Sequence, residues 1–345
     1  MSTHLEPLRI GLLGAARIAE KAAVYSAAET GHRLVAIAAR DPRRAADFAQ
    51  RHGVERVVAD YAALVSEPEV EVVYNALPNG LHAPWNLHAL AAGKHVLSEK
   101  PSASCAAEAR EVEQAVEGSG LVFLEGFHQV WHPVMQRVLA LVADGAVGEV
   151  RRVVMPMRDP GPESPDDARW QFALAGGAFM DLGVYAVHTA RMLAHLQGGE
   201  PAVVSARAGE RAGRPDVDEW LVAELALPNG AAVQAGSHMA AGERDFSLSI
   251  DGSAGQIVVA DAVLPHRDDT LVLTRPGREE VVEHPGRRAS YCDQLEVLAE
   301  AVRGGATSVT RGPVTLDAHD ARAQAELVEA VYLAAGLPPR TRTRL

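Results

Sequence analysis

The sequence predicts a doubly wound α/β domain with a parallel sheet, followed by a domain built on an open antiparallel sheet. In the first third of the chain, short apolar runs alternate with helical stretches, which is typical of a parallel sheet with helices on both faces. Beyond residue 144, β-type segments instead follow one another through hairpin turns. The length of 345 residues is sufficient for two such domains.

Apolar runs that end at glycines or prolines predict the elements of the first domain. Residues 8–13 form an apolar run that ends in Gly14, as a buried strand does before a tight turn. Pro42 opens a helical stretch, and Gly93 and Gly118 close two others. The predicted strands span residues 8–13, 33–39, 57–59, 70–77, 95–97 and 121–127, and the predicted helices span residues 15–28, 42–52, 81–92 and 104–117.

Turn sequences predict the second domain. Pro228-Asn229-Gly230 and residues 252–255 separate alternating apolar segments, as hairpin turns do. Residues 159–167 contain three prolines and four acidic residues and predict a surface loop. The predicted strands span residues 203–208, 217–226, 231–240, 246–250, 256–260 and 271–274, and the predicted helices span residues 177–196, 291–302 and 316–335.

Composition excludes several classes of protein. Hydrophobic residues make up 48% and charged residues 23%, which is the balance of a globular chain and not of a disordered one. The net charge of −12 argues against a nucleic-acid partner. No apolar run is long enough to span a membrane, and the first residues lack a secretory pattern, so we expect a cytoplasmic protein. Two cysteines, Cys105 and Cys292, and scattered histidines predict no disulfide framework and no metal site.

A run of small residues lies at the first strand-to-helix turn, Gly14-Ala15-Ala16-Arg17-Ile18-Ala19. Small residues at positions 14, 16 and 19 suit a dinucleotide fingerprint, because they allow a tight turn, close approach of a pyrophosphate and close helix packing. The phosphates would then lie at the helix N-terminus. The alternative is an ordinary tight turn of an α/β protein.

Arg40 and Asp41 follow the second predicted strand, where NAD enzymes usually carry an acidic residue for the ribose hydroxyl. Arginine at this position suits the 2′-phosphate of NADP(H), because its guanidinium binds phosphate through two donors. The alternative is an exposed arginine that pairs with nearby acids. We expect NADP(H) in preference to NAD(H), and NAD(H) remains an option.

Two further groups of polar residues are candidates for chemistry. Glu99-Lys100-Pro101 follows a strand and therefore lies at the carboxyl edge of the sheet, where doubly wound folds bind ligands. Asp181, Tyr185 and His188 have helical spacing that places them on one face, directly after the Gly176-Gly177 pair. The alternatives are a surface turn for the lysine and a solvated helix face for the other three.

These motifs occur in an order that resembles the Gfo/Idh/MocA family of NAD(P)-dependent oxidoreductases, especially the branches of glucose–fructose oxidoreductase, dimeric dihydrodiol dehydrogenase and sugar dehydrogenases. The resemblance covers nearly the whole chain. The segments that carry it are Gly14-x-Ala16-x-x-Ala19, Asn75-Ala76-Leu77-Pro78-Asn79-Gly80-Leu81-His82, Gly93-Lys94-His95-Val96, Glu99-Lys100-Pro101 and residues 176–185. It implies a Rossmann dinucleotide-binding domain over residues 1–128 and a substrate-binding and dimerisation domain over residues 129–345, whose last helices can return to the first domain.

The resemblance also implies roles by position. Lys100 and Tyr185 would form the proton-transfer pair, with Asp181 and His188 in support, and Lys100 would lower the pKa of the tyrosine. Whether Tyr185 or His188 donates the proton stays open. The implied cofactor residues are Gly14, Ala16, Arg17, Ile18, Arg40, Leu77, Pro78, Asn79, His82, Glu99 and Lys100. The implied substrate residues are His128, Arg169 and Trp170.

We therefore predict an NAD(P)-dependent oxidoreductase that transfers hydride between nicotinamide C4 and a secondary alcohol or carbonyl, most simply of a sugar or polyol. The alternatives are a non-catalytic NAD(P)-binding sensor and a reductase of non-sugar carbonyls or dihydrodiols. The substrate and the physiological direction stay open. We expect a homo-oligomer, as a dimer through the C-terminal sheet, and neither a nucleic-acid nor a membrane partner.

Overall fold

The computed structural model describes residues 5–343 and residue 345. Its first sheet has five parallel strands in the order β2-β1-β3-β4-β5, which is a doubly wound arrangement and confirms the predicted fold class. The strands are β1 (Arg9–Leu13), β2 (Arg33–Ala38), β3 (Val72–Asn75), β4 (His95–Ser98) and β5 (Phe123–Glu125). The segment predicted as a strand at residues 57–59 is not one, because Val57 makes a single bridge to Ile37.

Helices cover both faces of this sheet. The helical stretch after β1 has three parts: α1 (Arg17–Ala19), a π-helical segment (Glu20–Tyr25) and α2 (Ser26–Thr30). The remaining helices are α3 (Pro42–His52), α4 (Tyr61–Ser66), α5 (His82–Ala91) and α6 (Ala106–Val116). α4 was not predicted from the sequence; it begins where the Asp60 carboxylate accepts the Ala63 amide at 2.7 Å.

The second sheet has eight strands in the order β13-β12-β11-β10-β6-β9-β8-β7. They are β6 (Val150–Met155), β7 (Ala202–Glu210), β8 (Asp218–Ala226), β9 (Ala232–His238), β10 (Leu248–Gly252), β11 (Gln256–Val259), β12 (Leu271–Thr274) and β13 (Val281–Glu283). Every neighbouring pair is antiparallel except β6 and β9, which are parallel. The hairpin signals could not reveal this pair, because β6 enters the middle of the sheet from a helix and not through a hairpin.

The helices of the second part are α7 (Pro133–Ala143), a π-helical segment (Phe179–Gly183) that continues into α8 (Val184–His195), α9 (Ser290–Gly304) and α10 (Ala318–Ala334). Some of them pack on this sheet: the π-helical segment and α8 contact β9, and α10 contacts β7. Short 3₁₀ turns cover Asn79–Leu81, His128–Trp131, Ala168–Trp170 and Phe172–Leu174, and β14 (Val309–Arg311) pairs with β15 (Val314–Leu316). α9 packs on α2 and α10 packs on α6, so the last helices return to the first sheet.

The two faces of the second sheet differ. On β8, Leu221 and Leu225 are buried towards the helices, whereas Trp220 and Val222 on the other face are half-buried. On the same face, Val154 of β6 lies between Gln234 of β9 and Ser249 of β10, and the half-buried Val258 and Val272 follow on β11 and β12. Among the described residues, no helix is both long and apolar enough to cross a membrane.

The end of the chain lies against both parts of the molecule. Arg340 is buried and donates to Gly176 O at 2.7 Å and to the Asp218 carboxylate at 2.7 Å. The Thr343 amide donates to Glu108 Oε1 on α6 at 2.8 Å. These contacts make the last residues a strap that connects α6 to the segment before Asp181; we refer to residues 340–343 as the C-terminal strap.

Candidate active site

A lysine, an aspartate and an arginine meet at the carboxyl edge of the first sheet. Lys100 follows β4, and its Nζ donates to Asp181 O at 2.7 Å and to Asp181 Oδ1 at 3.1 Å. Arg169 Nε donates to the other carboxylate oxygen of Asp181 at 3.0 Å. We call Lys100, Arg169 and Asp181 the lysine cluster. Residues that are 81 positions apart in sequence thus hold one ammonium group in a fixed place.

The charges of the lysine cluster keep its aspartate ionised. Burial on its own would raise the pKa of Asp181, but the Lys100 ammonium and the Arg169 guanidinium outweigh burial and hold that pKa well below its usual range. The same carboxylate raises the pKa of Arg169. Both cations therefore have a permanent anionic partner at neutral pH.

The two glycines before this helix are required by close packing. Gly177 has φ of +134°, and a Cβ there would collide with the Asp218 carboxylate and the Arg340 guanidinium. A Cβ on Gly176 would lie 2.5 Å from Arg169 O. The glycine pair thus lets the helix that carries Asp181 begin directly against Asp218 and the C-terminal strap.

Tyr185 lies beside the lysine cluster, as expected from its spacing to Asp181. Lys100 Nζ is 5.0 Å from the centroid of the Tyr185 ring. The Tyr185 hydroxyl oxygen is 3.3 Å from His128 Nε2, and His128 Nδ1 is 2.7 Å from Ser290 Oγ. Burial, together with the nearby Tyr291 and Glu99, raises the pKa of Tyr185 well above its usual value. The expectation that Lys100 lowers this pKa is therefore wrong for the geometry described, because burial of the phenol dominates.

His188 does not join the lysine cluster, and the expectation that it supports Lys100 and Tyr185 does not match the structure. Its ring stacks on Phe127 with centroids 4.0 Å apart, and its Nε2 lies 3.8 Å from Asp320 Oδ2. Burial and the nearby Arg191 lower the pKa of His188 well below its usual value. His188 is three residues after Tyr185, so the two side chains differ by about 60° around the helix. Both contact Phe127, but only Tyr185 also faces Lys100 and His128.

His188 instead belongs to a second set of charges, with Arg191, Glu200 and Asp320, which we call the arginine cluster. Arg191 donates to both carboxylate oxygens of Glu200 at 2.9 and 2.8 Å and to Asp320 O at 3.1 Å. The Arg191 side chain is 1% exposed. This cluster lies between α8 and α10 and is closed to solvent around its guanidinium.

The turn after β1 can accommodate a pyrophosphate. Gly14 has φ of +95°, and a Cβ there would lie 3.2 Å from Leu77 Cδ2 and 3.4 Å from Ala76 O. The helical stretch that follows has no acidic residue in its first part α1. The first amides of a helix have no acceptor within it and attract anions. Glycine at 14 and alanine at 16, followed by the amides of Arg17 and Ile18, therefore fit the phosphates of a dinucleotide.

The loop after β3 closes this turn from the other side. Asn75 Nδ2 donates to Asn86 Oδ1 at 2.8 Å, and Asn79 Nδ2 donates to Ala175 O at 3.2 Å. His82 is buried, with Nδ1 2.7 Å from Pro101 O and Nε2 2.6 Å from Leu77 O. His82 thus connects the loop of Leu77 and Pro78 to the loop of Lys100 and does not itself face the surface.

Glu99 lies beneath the lysine loop. The Tyr74 hydroxyl donates to Glu99 Oε1 at 2.7 Å. Burial raises the pKa of Glu99, and attraction to Lys100 only reduces that shift. The carboxyl group is therefore less acidic than an exposed glutamate, although it is the neighbour of Lys100 in sequence.

The turn after β2 presents an arginine at the surface. Arg40 is exposed, and its backbone amide donates to the Tyr61 hydroxyl at 3.1 Å. Asp41 caps α3 by accepting the Arg43 amide at 2.9 Å, so its carboxylate is held in a helix cap. Arg44 Nη2 donates to Ala15 O at 3.1 Å, which places a second arginine over the small-residue turn. Arg44 was not predicted as a site residue, although its helical spacing from Asp41 places it near the same turn.

The three predicted substrate residues have different surroundings. His128 contacts Tyr185, and Arg169 is held by Asp181 with 42% of its side chain exposed. Trp170 is buried at 2% exposure beneath the Arg211 guanidinium, so it packs in the interior. Ser290 and Tyr291, at the start of α9, also lie beside His128 and were not found from the sequence. No local signal connects them to residue 128, because 162 positions separate Ser290 from it.

Two family models match this chain. Residues 8–127 match the oxidoreductase family with the NAD-binding Rossmann fold, and residues 135–258 match the GFO/IDH/MocA C-terminal domain. The chain belongs to the Gfo/Idh/MocA family. It is therefore an NAD(P)-dependent oxidoreductase, as predicted, and the alternative of a non-catalytic sensor is set aside.

Characterised members of the family resemble the chain over most of its length. It is 34% identical over 344 residues to dTDP-3,4-didehydro-2,6-dideoxy-alpha-D-glucose 3-reductase of Streptomyces violaceoruber, covering 96% of each chain. It is 32% identical over 302 residues to D-xylose 1-dehydrogenase (NADP(+)) 2 of Haloferax volcanii, covering 87% of this chain and 90% of that one. A solved 3-ketoreductase from Actinomadura kijaniata, in complex with NADP and TDP-benzene, superposes with a TM-score of 0.83 at 29% identity, covering 95% of this chain and 98% of that one.

Proposed function

We propose that Lys100 and Tyr185 carry out proton transfer in the NADP(H)-dependent oxidation of a secondary alcohol, or reduction of a carbonyl, of a sugar or polyol. The observation that carries this proposal is the fixed Lys100 ammonium, held by Asp181 and 5.0 Å from the Tyr185 ring centroid at the carboxyl edge of the nucleotide-binding sheet. When bound, the nicotinamide supplies or takes the hydride, and the chain's own residues handle the proton and the charge on oxygen.

Each residue of the site has a distinct part in this proposal. The Tyr185 hydroxyl hydrogen-bonds to the reacting oxygen, and the Lys100 ammonium stabilises the negative charge that develops there. Asp181 keeps that ammonium in place, and Arg169 keeps Asp181 in place while leaving part of its own guanidinium for a substrate hydroxyl. Gly14, Ala16, Arg17 and Ile18 would hold the pyrophosphate, and Arg40 would bind the 2′-phosphate.

The substrate class is supported by the relatives. Two of them are named for reactions on sugars, and the solved 3-ketoreductase was obtained with NADP. Solved variants of that 3-ketoreductase replace one lysine by alanine and one tyrosine by phenylalanine, the two residue types proposed here.

The two buried, free cysteines, Cys105 and Cys292, are consistent with the reducing environment of the cytoplasm.

We also propose that the protein is a dimer through the half-buried face of its second sheet. Trp220 and Val222 lie on β8, and Val154 lies on the same face two strands away, across β9. These apolar side chains are only half-buried in the described chain, and burying them against a second copy would favour association. Light scattering on the wild type and on Val222→Glu is the measurement: a dimer that the glutamate converts to a monomer supports the proposal, and a wild-type monomer at micromolar concentration contradicts it.

A panel of aldoses, polyols and ketosugars, assayed with NADP(H) and NAD(H), tests the proposed reaction. For the best substrate we expect Lys100→Ala and Tyr185→Phe to lower kcat by about 10² to 10⁴. Lys94→Ala is the matched control, because Lys94 Nζ donates to Glu67 O and Val70 O outside the site. A Lys100→Ala enzyme with nearly normal kcat would show that the assignment is wrong.

A further inference from the structure

We propose that His128 is the second carrier of the proton: it accepts the proton of Tyr185 during alcohol oxidation and returns it during carbonyl reduction, with Ser290 fixing the tautomer that can do so. The inference rests on the role proposed above for Tyr185. His128 is buried behind Tyr185 and acts through it, so it is a positioning and relay residue and not the substrate residue that the resemblance implies.

The contacts of the phenol provide the first support. Among the hydrogen bonds of the described residues, the Tyr185 hydroxyl has one partner, His128 Nε2 at 3.3 Å. The Lys100 ammonium lies near the ring but donates to Asp181. A proton that leaves the Tyr185 oxygen towards the protein therefore has His128 as its receiving group.

The surroundings of the phenol explain why a second carrier is needed. Burial raises the pKa of Tyr185, and the neighbouring Glu99 and Asp181 disfavour a phenolate further. A tyrosine in this environment is a poor base on its own at neutral pH. It can take the substrate's proton only if it gives up its own in the same step.

The state of His128 suits that task. Burial and the nearby Lys100 lower the pKa of His128 well below its usual value, so the imidazole is neutral at pH 7. Nδ1 is 2.7 Å from the hydroxyl oxygen of Ser290, which is buried at the start of α9. If Nδ1–H donates to this oxygen, the lone pair of Nε2 faces the Tyr185 hydroxyl. The Tyr291 ring lies 3.9 Å from the imidazole centroid and fixes the plane of the ring.

The proton balance of the step is complete. In oxidation the alcohol O–H bond breaks and its proton bonds to Tyr185 Oη, while the Tyr185 proton bonds to His128 Nε2. The electron pair of the broken O–H bond forms the carbonyl, and a bound nicotinamide would supply the acceptor for the hydride from carbon, while His128 becomes imidazolium. Once the product has left, the proton returns through Tyr185 to water in the emptied site, and reduction takes a proton up by the same route in reverse. Tyr185 is neutral before and after, and no further oxidant or reductant is required.

Charged and titratable groups face His128 from the elements packed around it, and they influence the pKa of its imidazole. They are Lys100 from the loop after β4, Tyr185 from α8, Tyr291 from α9, His132 at the start of α7 and His266 from the segment after β11. Lys100 is the cation of this set, and together with burial it keeps His128 neutral down to acidic pH. The same surroundings make the imidazolium formed in the step strongly acidic, so it returns the proton to Tyr185 readily during carbonyl reduction.

The decisive variant is His128→Gln, which keeps a polar group beside Tyr185 and Ser290 but cannot take up a proton. We expect kcat for oxidation at pH 7 to fall about 10²-fold, with KM and the Kd of the cofactor unchanged. We also expect kcat of the variant to rise steadily towards alkaline pH, because the phenol must then ionise without help. Loss of packing alone would lower kcat by the same factor at every pH.

Matched variants separate the relay from general damage. His132→Asn retains a side chain that can cap α7 and should keep kcat within about twofold, because His132 is buried beside Arg288 O and does not contact Tyr185. Ser290→Ala removes the contact to Nδ1 and should lower kcat by about tenfold, in proportion to one lost neutral hydrogen bond. Added imidazole should restore part of the activity of His128→Ala but none in Tyr185→Phe.

A second measurement does not depend on turnover. In the cofactor-free protein with ¹⁵N-labelled histidine, the Nε2 shift of His128 should be that of an unprotonated nitrogen, and it should change in Tyr185→Phe. A protonated Nε2, or a His128→Gln enzyme with the wild-type rate and pH profile, would overturn the relay. If Tyr185→Phe is itself fully active, the proposed function fails instead, so the two failures are distinguishable.

Discussion

The lysine cluster and the arginine cluster lie along the same helical stretch, yet they differ in what their charges can do. In the lysine cluster, Asp181 holds an ammonium next to the Tyr185 ring, and Arg169 remains 42% exposed. In the arginine cluster, Arg191 is 1% exposed and its donors are taken by Glu200 and Asp320. The lysine cluster lies at an accessible edge of the sheet, so its charges can act on a substrate. The buried guanidinium of Arg191 cannot, and it serves to connect α8 and α10.

Arg191→Met should produce the largest effect if the arginine cluster is structural. Removing one partner of a buried ion pair leaves Asp320 buried without its cation, which typically costs about 3–5 kcal/mol of unfolding free energy. Urea unfolding measures this loss, and kcat per folded molecule should stay within about threefold of the wild type, as for a change outside the reacting groups. A variant that keeps its stability but loses most of its kcat would show that the arginine cluster takes part in catalysis and is not only structural.

Asp181→Asn should have the opposite pattern. The amide keeps the shape of the side chain but removes the charge that fixes Lys100 and Arg169, so we expect kcat to fall about 10²-fold. The loss of unfolding free energy should be smaller than in Arg191→Met, because Arg169 is 42% exposed and its charge can be hydrated. Asp167→Asn is the control, because Asp167 also contacts Arg169 but not Lys100. If both variants keep the wild-type kcat, the lysine does not depend on its aspartate.

Glu125 adds a pH-dependent comparison, because its carboxyl group is buried near Asp320. Burial raises its pKa to about 8, while its Oε1 accepts the Ser102 amide at 2.6 Å. In the unfolded chain the group ionises near 4.3. Between about pH 5 and 8 the folded chain therefore holds more protons, so this group's contribution to stability falls as the pH rises, by up to about 1.4 kcal/mol per pH unit.

Glu125→Gln removes this titration. We expect urea unfolding at pH 5, 6.5 and 8 to show that the free energy of unfolding of the variant increases relative to that of the wild type as the pH rises. The exposed Glu117→Gln is the control and should show no such trend. A constant difference across this range would mean that Glu125 is already ionised in the folded chain.

The smallest expected effect concerns the turn after β2. Arg40→Ala should lower the ratio of kcat/KM for NADP over NAD by about tenfold, the value of roughly one charge-assisted contact to phosphate. Arg43→Ala is a matched control, because Arg43 is exposed on the same turn. An unchanged ratio in Arg40→Ala would shift the assignment of the 2′-phosphate contact to Arg44.

Particular residues show how far the sequence carried the site. The strand-end rule placed Lys100 at the edge of the sheet, and helical spacing placed Asp181 and Tyr185 together, because both depend on local periodicity. The same spacing placed His188 with them, and that was wrong, since three residues on an α-helix turn the side chain towards Phe127 and Asp320. The proposed domain boundary at residue 128 stays a prediction.

What the sequence could not provide was contact between distant segments. Ser290 lies beside His128 only because α9 folds back across the first domain. The parallel pairing of β6 with β9 likewise depends on how the chain crosses from α7, for which turn residues give no signal. Burial also reversed the expected pKa of Tyr185, and burial is a property of the whole fold and not of a motif.

The C-terminal strap has a practical consequence for anyone who shortens or tags this protein. Arg340 fills the space against Gly176 and Asp218, next to the start of the helix that carries the lysine cluster's aspartate. A truncation after Pro339 would leave Asp218 buried without its cation and would remove the contact that holds the start of that helix in place. In protein engineering, the tail of this chain is therefore to be handled as an active-site loop.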